Sequence, residues 1–119
     1  MRYLFIILLL AVAGSGNAQE IKKDSLFMVS YVTGPSWDLT KPPNAQPHFE
    51  AHSKHLSTLR KNGVIVFGAR AGEEGIIIFS ASTFEAAQEL INNDVAVMNG
   101  LFKTDIQKLN VFYSGCIEK

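Results

Sequence analysis

The stretch VIVFGARAGEEGIIIFSA, residues 64–81, decides the fold that this sequence predicts. Its two ends, residues 64–70 and 76–81, are rich in β-branched and aromatic residues, which favour β-strands. Gly72 and Gly75 lie between them and can take the positive φ angles of a tight turn, so the stretch predicts a β-hairpin. Both strands are apolar at consecutive positions instead of alternate ones, which indicates that both faces of the sheet are buried.

Two further strands flank this hairpin along the chain. Residues 26–33 (LFMVSYVT) are rich in β-formers and end at a Gly-Pro pair. Residues 101–113 predict the last strand, whose inward positions change parity and so indicate a bulge near Gln107-Lys108.

Two helices and one short turn separate the strands. Pro47 suits the first turn of a helix that we expect to run to about Asn62, where Asn-Gly is a C-cap signal. Ser82 begins a capping box for a second helix ending near residue 92. Asp94 can cap a short turn closed by Gly100. We expect Phe84, Ala87 and Ile91 to point inward from the second helix.

The order of these elements is βαββαβ, which predicts an α+β, ferredoxin-like fold with a four-stranded antiparallel sheet and two helices on one face. Two helices cover only one face of such a sheet, yet the central hairpin is apolar on both. We therefore predict a homodimer in which a second copy covers the other face.

The first residues predict an export signal. Met1 and Arg2 precede an uncharged apolar run, residues 4–14, and small residues follow up to Ala18. The run is shorter than the ~20 residues of a membrane-spanning helix. We predict a signal peptide over residues 1–18, one domain over 19–119, and a periplasmic or secreted protein without a membrane anchor after cleavage.

Charge and cysteine content argue against a nucleic-acid-binding protein and against a fold held by internal disulfides. The chain has 11 basic and 11 acidic side chains, so it lacks the basic excess of a nucleic-acid-binding protein. Cys116 is the only cysteine, so no internal disulfide can form even in an oxidising compartment.

All three histidines lie in PHFEAHSKHLSTL, residues 47–59. On a helical wheel His52 falls within the apolar stripe, whereas His48 and His55 fall at its edge. A core-facing imidazole needs partners for its nitrogens. It can be a structural core residue, a metal ligand or an acid–base group.

The metal alternative is the weakest, because no HExxH motif, cysteine pair or acidic cluster completes the site. The acid–base alternative requires a carboxylate to hold the imidazole tautomer. Asp38, Asp94 and Asp105 are the candidates, and Asp94 can instead be only an N-cap. The residues alone leave these alternatives open.

Residues 26–113 resemble the YCII-like family of small dimeric α/β-barrel proteins. The resemblance rests on GPSWDLTKPP (34–43), PHFEAH (47–52) and DVAVMNGLF (94–102). It implies a catalytic pair, matched here by His52 and Asp94, that lines a pocket and performs acid–base chemistry on a small molecule without a cofactor.

The resemblance also guides the prediction of ligand contacts. We expect Trp37 and Phe49 to wall the pocket, His48 and His55 to lie at its rim, and Arg70 to pair with an acidic substrate. A lyase- or isomerase-like reaction fits best, because no nucleophile motif is evident. The alternatives are an exported dimer that binds or senses a small ligand without chemistry, and a haem or metal binder, since related dimeric barrels hold haem through a histidine.

The sequence departs from the family pattern around this pocket. Many relatives have Glu where this chain has Ala51, and often an aromatic residue in place of His55. After the second strand they carry Gly-Gly-Pro where this chain has Gly-Ala-Arg, ending at Arg70. These differences indicate a different pocket rim.

Overall fold

The computed structural model describes residues 24–115. They form, in order, β1 (Ser25–Thr33), α1 (Phe49–Lys61), β2 (Ile65–Ala71), β3 (Glu74–Ala81), α2 (Phe84–Asn92), α3 (Val95–Met98) and β4 (Phe102–Lys108). The predicted signal peptide and Cys116 lie outside the described residues. Between residues 24 and 115, no helix has the length and apolar character needed to cross a membrane.

The four strands form one antiparallel sheet in the order β2-β3-β1-β4. The central strand β1 pairs on both sides, so that Tyr31 lies opposite Gly75 of β3 and Thr104 of β4. With the βαββαβ chain order, this arrangement is the ferredoxin-like α+β fold that the sequence predicts. The short helix α3 is added between α2 and β4.

One face of the sheet forms the core with the helices. Alternate residues of β1 point to this face, and Phe27, Val29 and Tyr31 are all buried. α1 contacts β2, whereas α2 contacts β3 and β4. The buried core cluster consists of Phe27, Val29, Tyr31, Phe79, Ala81, Ala87 and Ile91.

The opposite face of the sheet is also apolar. Ile76 and Ile78 of β3 and Met28 of β1 point to it, and all three keep part of their surface exposed. Val66 of the edge strand β2 is 57% exposed. Partial exposure of a continuous apolar surface means that no described element fully covers this face.

The first helix follows its predicted course closely. α1 spans Phe49–Lys61, so Pro47 precedes the helix instead of forming its first turn. Asn62 is the C-cap, and Gly63 follows with a φ of 75°. This left-handed residue after the helix end is what the Asn-Gly pair predicts.

The second helix differs from the prediction at its start. Its N-cap is Thr83, whose hydroxyl accepts a hydrogen bond of 3.0 Å from the amide of Ala86, and not Ser82. Both residues carry the hydroxyl that a cap needs, so composition alone does not distinguish them. Phe84 is 41% exposed instead of inward, because it is the first helical residue and lies at the margin of the core. Ala87 is buried, as predicted.

The predicted course of the last strand is wrong in two respects. β4 ends at Lys108 instead of continuing to residue 113, and its register with β1 is unbroken, so no bulge occurs at Gln107-Lys108. The change of parity arises because residues 109–113 lie beyond the strand and do not alternate across the sheet. The one register shift among these pairs lies in β2, between Ile65 and Phe67.

Candidate functional site

The long loop between β1 and α1, residues 34–47, is held in place by one side chain. Gln46 is 4% exposed. Its Oε1 accepts a hydrogen bond of 2.9 Å from the amide of Asp38, and its Nε2 donates to the carbonyls of Asp38 (2.6 Å) and Lys41 (3.0 Å). The loop also contains one 3-10 turn, Pro43–Ala45. A buried amide thus supplies the polar partners that regular structure would otherwise provide.

The start of this loop is bound to the turn that follows α3. The amides of Gly34 and Ser36 donate to the carbonyls of Leu101 (2.8 Å) and Gly100 (3.0 Å). The Ser36 hydroxyl donates to the carbonyl of Asn99 at 2.8 Å. A Cβ at Gly34 would overlap the Gly100 carbonyl oxygen, so the two segments approach as closely as only glycine allows.

Asp94 stands at the N-terminus of α3 and uses its two oxygens differently. Oδ1 accepts a hydrogen bond of 2.9 Å from the amide of Ala96, which makes Asp94 the N-cap of this helix. Oδ2 forms a hydrogen bond with Nδ1 of His52, which projects from α1. Asp94 is 1% exposed and His52 is 8% exposed. The predicted cap and the predicted histidine partner are therefore both observed, in one residue.

The charge state of Asp94 fixes the tautomer of the histidine. Burial opposes ionisation of the carboxyl, but the hydrogen bond and charge of His52 and the hydrogen bond from Ala96 together hold the pKa of Asp94 below its usual value. An ionised carboxylate only accepts hydrogen bonds, so Nδ1 of His52 carries the proton. Nε2 is then the basic nitrogen of the neutral ring.

Nε2, the other ring nitrogen of His52, has no hydrogen-bond partner within residues 24–115. His52 as a whole is 8% exposed. The described residues therefore fix one ring nitrogen through Asp94 and give the other no partner.

Aromatic rings surround the imidazole. The ring centroid of Phe102 is 4.6 Å from that of His52, and Tyr31 meets His52 edge-on at 5.3 Å. Phe49 lies at 6.1 Å. Trp37 packs on Phe102 at 5.7 Å, so the predicted wall residue reaches the histidine through an intermediate ring. The site is an apolar, aromatic environment with one polar pair.

The other two histidines have different surroundings. His48 is exposed and occupies the N-cap position of α1 with a φ of 67°, a left-handed conformation that histidine tolerates better than most residues. Its carbonyl accepts a hydrogen bond of 3.0 Å from the amide of His52. Nε2 of His55 donates to the carbonyl of Leu90 at 2.8 Å and so ties α1 to α2.

The remaining candidate residues lie apart from the pair. Asp38 accepts hydrogen bonds from Thr40 inside the loop, which lower the pKa of its carboxyl. Asp105 accepts from Gln107 on β4 (3.0 Å). Arg70 is exposed near the end of β2 and makes no ion pair or side-chain hydrogen bond among the described residues. Ligand contacts of Trp37, His48, Phe49, His55 and Arg70 stay predictions.

Two residues of the site were not predicted, namely Tyr31 and Phe102. Tyr31 is 5% exposed, and its hydroxyl is fully buried without a hydrogen-bond partner among the described residues. Burial and the nearby charge of Asp94 both raise the pKa of Tyr31, so the phenol stays protonated. The signal for both residues is strand alternation, since each points to the helix-covered face of its strand.

Comparison of the chain with models of known protein families, with curated proteins and with solved structures found no match. The YCII-like resemblance therefore stays a prediction from the motifs. The chemistry of the site has to be inferred from its own geometry.

Proposed function

We propose that the protein binds a small organic molecule next to His52 and transfers a proton to or from it without a cofactor, as the YCII-like resemblance implies. The observation that carries this proposal is the buried hydrogen bond between Asp94 and Nδ1 of His52, with Nε2 given no partner by the described residues. A histidine needed only for packing would have no reason to be held through one nitrogen by a buried carboxylate in an aromatic site.

Each member of the pair has a distinct part in the reaction. Nε2 accepts a proton from a carbon or heteroatom of the ligand, and the ring becomes an imidazolium. Asp94 stabilises this cation through the hydrogen bond to Nδ1 and keeps the ring oriented. The imidazolium then returns the proton, either to another atom of the ligand or to a departing group.

The surroundings of the pair favour certain reactions over others. Among residues 24–115, no hydroxyl or thiol forms a hydrogen bond with His52, so this part of the chain offers the histidine no nucleophile to activate. Proton abstraction, isomerisation and elimination require only a base and its conjugate acid. We therefore place the reaction in the lyase or isomerase class and not in acyl transfer.

The test follows proton exchange directly, so it does not require the natural substrate. The mature protein is incubated in D2O with a panel of small carbonyl compounds, and loss of the α-proton signal is followed by NMR. We expect His52→Gln and Asp94→Asn to slow exchange on any active compound by about 10²-fold or more. Glu89→Gln, which removes an exposed carboxylate on α2, is the control and should retain the full rate.

Three results would lead away from the proposed acid–base chemistry. If His52→Gln folds normally and exchanges protons as fast as the wild type, the proposed acid–base role is wrong. If a compound binds at His52 and is recovered without exchange or conversion, the protein is the exported, non-catalytic binding or sensing dimer. A Soret band after addition of haem would instead support the haem alternative.

We also propose that two copies associate through the apolar sheet face to form a dimeric α/β barrel. The support is the partly exposed surface of Met28, Ile76 and Ile78, with the polar side chains of β4 beside it. Sedimentation equilibrium tests this. We expect a dimer for the wild type and a monomer for Ile78→Lys, and a monomeric wild type would contradict the proposal.

Export rests on the sequence pattern of the first 18 residues. We propose that the protein acts in the periplasm or outside the cell. Mass spectrometry of the chain recovered from fractionated cells should show a protein that begins at Gln19. An uncleaved chain in the cytoplasm would contradict this.

A further inference from the structure

Gly75 occupies a place in the sheet where the fold does not require glycine. It lies inside β3, and its φ is not in the left-handed region. Its pairings with β1 and β2 are in regular register, so no bulge explains it. Glycine inside a strand destabilises it relative to alanine, because glycine loses more backbone freedom on folding. Where backbone geometry gives no reason, such a glycine often marks the close approach of a ligand.

The space above Gly75 is open on the helix-covered face. A Cβ at this position would have only one neighbour within 4 Å, the Cβ of Tyr31 at 3.7 Å. A side chain would therefore fit, yet none is present. Gly75 is also partly exposed in spite of lying beneath the helix layer. The missing side chain leaves a gap beside Tyr31.

Strand register places Arg70 on the far side of this gap. Tyr31 lies opposite Gly75, and Gly75 lies opposite Arg70, so the three residues form one row across β1, β3 and β2. Directly paired residues of antiparallel strands point to the same face. The guanidinium stem of Arg70 thus begins about 10 Å from Tyr31, or two strand spacings of about 4.8 Å.

The imidazole of His52 packs against Tyr31, the residue at the other end of this row. Its ring meets Tyr31 edge-on, with 5.3 Å between centroids. The row therefore begins with Arg70 at the sheet edge, crosses Gly75, which has no side chain, and ends at Tyr31, which packs against His52. A space of this length accommodates one small ring with a short arm.

We propose that the gap over Gly75 is a binding site for a small carboxylic acid, whose carboxylate is held by Arg70 and whose carbon skeleton extends along Tyr31 to Nε2 of His52. This inference rests on the proposed function and narrows its substrate class. Arg70 suits the role because its planar guanidinium binds a carboxylate in bidentate fashion.

The charges around Arg70 leave it available for such a ligand. It makes no ion pair among residues 24–115. Glu74, its nearest acidic neighbour on β3, points to the opposite face, because it precedes Gly75 by one residue.

The experiment compares two probes that differ only in charge. Phenylacetate and phenylacetamide are titrated separately into the protein at constant pH, and the carbon-bound ring protons of His52 are followed by NMR. Arg70→Gln removes the proposed carboxylate contact. Arg60→Gln, which removes an exposed arginine in the last turn of α1, is the matched control. Gly75→Val fills the gap with a side chain that strands accept readily.

We expect phenylacetate to bind the wild type and Arg60→Gln with equal affinity, and Arg70→Gln about five- to tenfold more weakly, as loss of a partly exposed charge pair implies. Phenylacetamide should be indifferent to both arginine variants. Gly75→Val, verified as folded by its spectrum, should weaken both probes.

Two outcomes overturn the inference, and they separate it from the proposed function. If both probes shift the His52 signals and Arg70→Gln binds phenylacetate as the wild type does, the carboxylate site is wrong while the ligand site at His52 stands. If neither probe moves the His52 signals at millimolar concentration, the ligand site itself is wrong, and the carboxylate site with it.

Discussion

Replacing His52 by leucine should strongly destabilise the protein, even though it removes a polar group from an apolar environment. The reason is Asp94, which is 1% exposed and whose Oδ2 has His52 as its side-chain partner. With leucine at position 52, the carboxylate must either stay charged in a buried place or become protonated. Both outcomes lower the free energy of unfolding relative to that of the wild type.

The magnitude follows from the burial of the pair. Removing His52 leaves the buried carboxylate charge of Asp94 without its partner, which costs about 3–5 kcal/mol. Asp94→Asn alone should cost only about 1–2 kcal/mol, because the amide oxygen of asparagine still caps α3 and its NH2 group can donate to Nδ1 of the other neutral tautomer of His52. In the double variant no buried charge remains. We therefore expect it to be more stable than His52→Leu by about 2 kcal/mol, a coupling that simple addition of the two effects cannot produce.

Urea unfolding at neutral pH measures all four proteins, with Trp37 fluorescence and far-UV circular dichroism as independent probes. Trp37 is suitable because it packs on Phe102 beside the site. A domain of this size has a total stability of about 5–14 kcal/mol, so the expected changes are within range. The reasoning is refuted if the two single-variant losses add in the double variant, because the two side chains would then stabilise the fold independently.

Three further predictions concern the support of the site. Gly34→Ala should lower the free energy of unfolding by about 3 kcal/mol, because the clash breaks the hydrogen bonds between the loop and the turn after α3. Gly68→Ala is the control, since its new Cβ would meet only an ordinary contact at 3.9 Å, and thermal unfolding compares the two variants. Tyr31→Phe removes an unpartnered buried hydroxyl and should raise the free energy of unfolding by about 1 kcal/mol, with Tyr113→Phe, 87% exposed, unchanged in the same urea assay. Because the folded-state pKa of Asp94 lies below the value of about 3.9 expected for an unfolded chain, its stabilisation is complete above that pH and is lost as pH falls through the folded-state pKa. The stability difference between wild type and Asp94→Asn should therefore shrink in acid, and a difference that stays constant down to about pH 2 would contradict this.

The sequence predicts the fold well where the hydrophobic pattern of an element and the turn or capping residues at its ends agree. The central hairpin combines runs of β-formers with glycines, and β2 and β3 lie within a residue or two of their expected bounds. The prediction fails where the pattern continues past the end of an element. Leu109 and Val111 are as suitable for a strand as the residues of β4, but after the hydrogen bond of 2.9 Å from the Leu109 amide to the Leu26 carbonyl the chain leaves β1, which itself begins at Ser25.

The site is predictable in part for the same physical reason. His52 is identified by its place in an apolar stripe, and Asp94 by its capping position, but neither pattern shows that the two residues meet. That contact depends on α3, which turns the chain so that a residue 42 positions later faces α1. Phe102 and Tyr31 are ordinary inward strand residues in sequence. Their importance arises from packing against the imidazole, which only the assembled fold shows.

Because the side chain of Gln46 orders the loop of residues 34–47, a ligand that contacts this loop does not have to order it on binding. Ordering a flexible residue costs about 1–2 kcal/mol of backbone entropy, so a mobile loop of this length would consume much of the affinity of a small ligand. Here three hydrogen bonds from one side chain set the path of the loop before any ligand arrives. Side chains elsewhere in the loop can then be exchanged without changing its course, so new ligand preferences can arise from single substitutions.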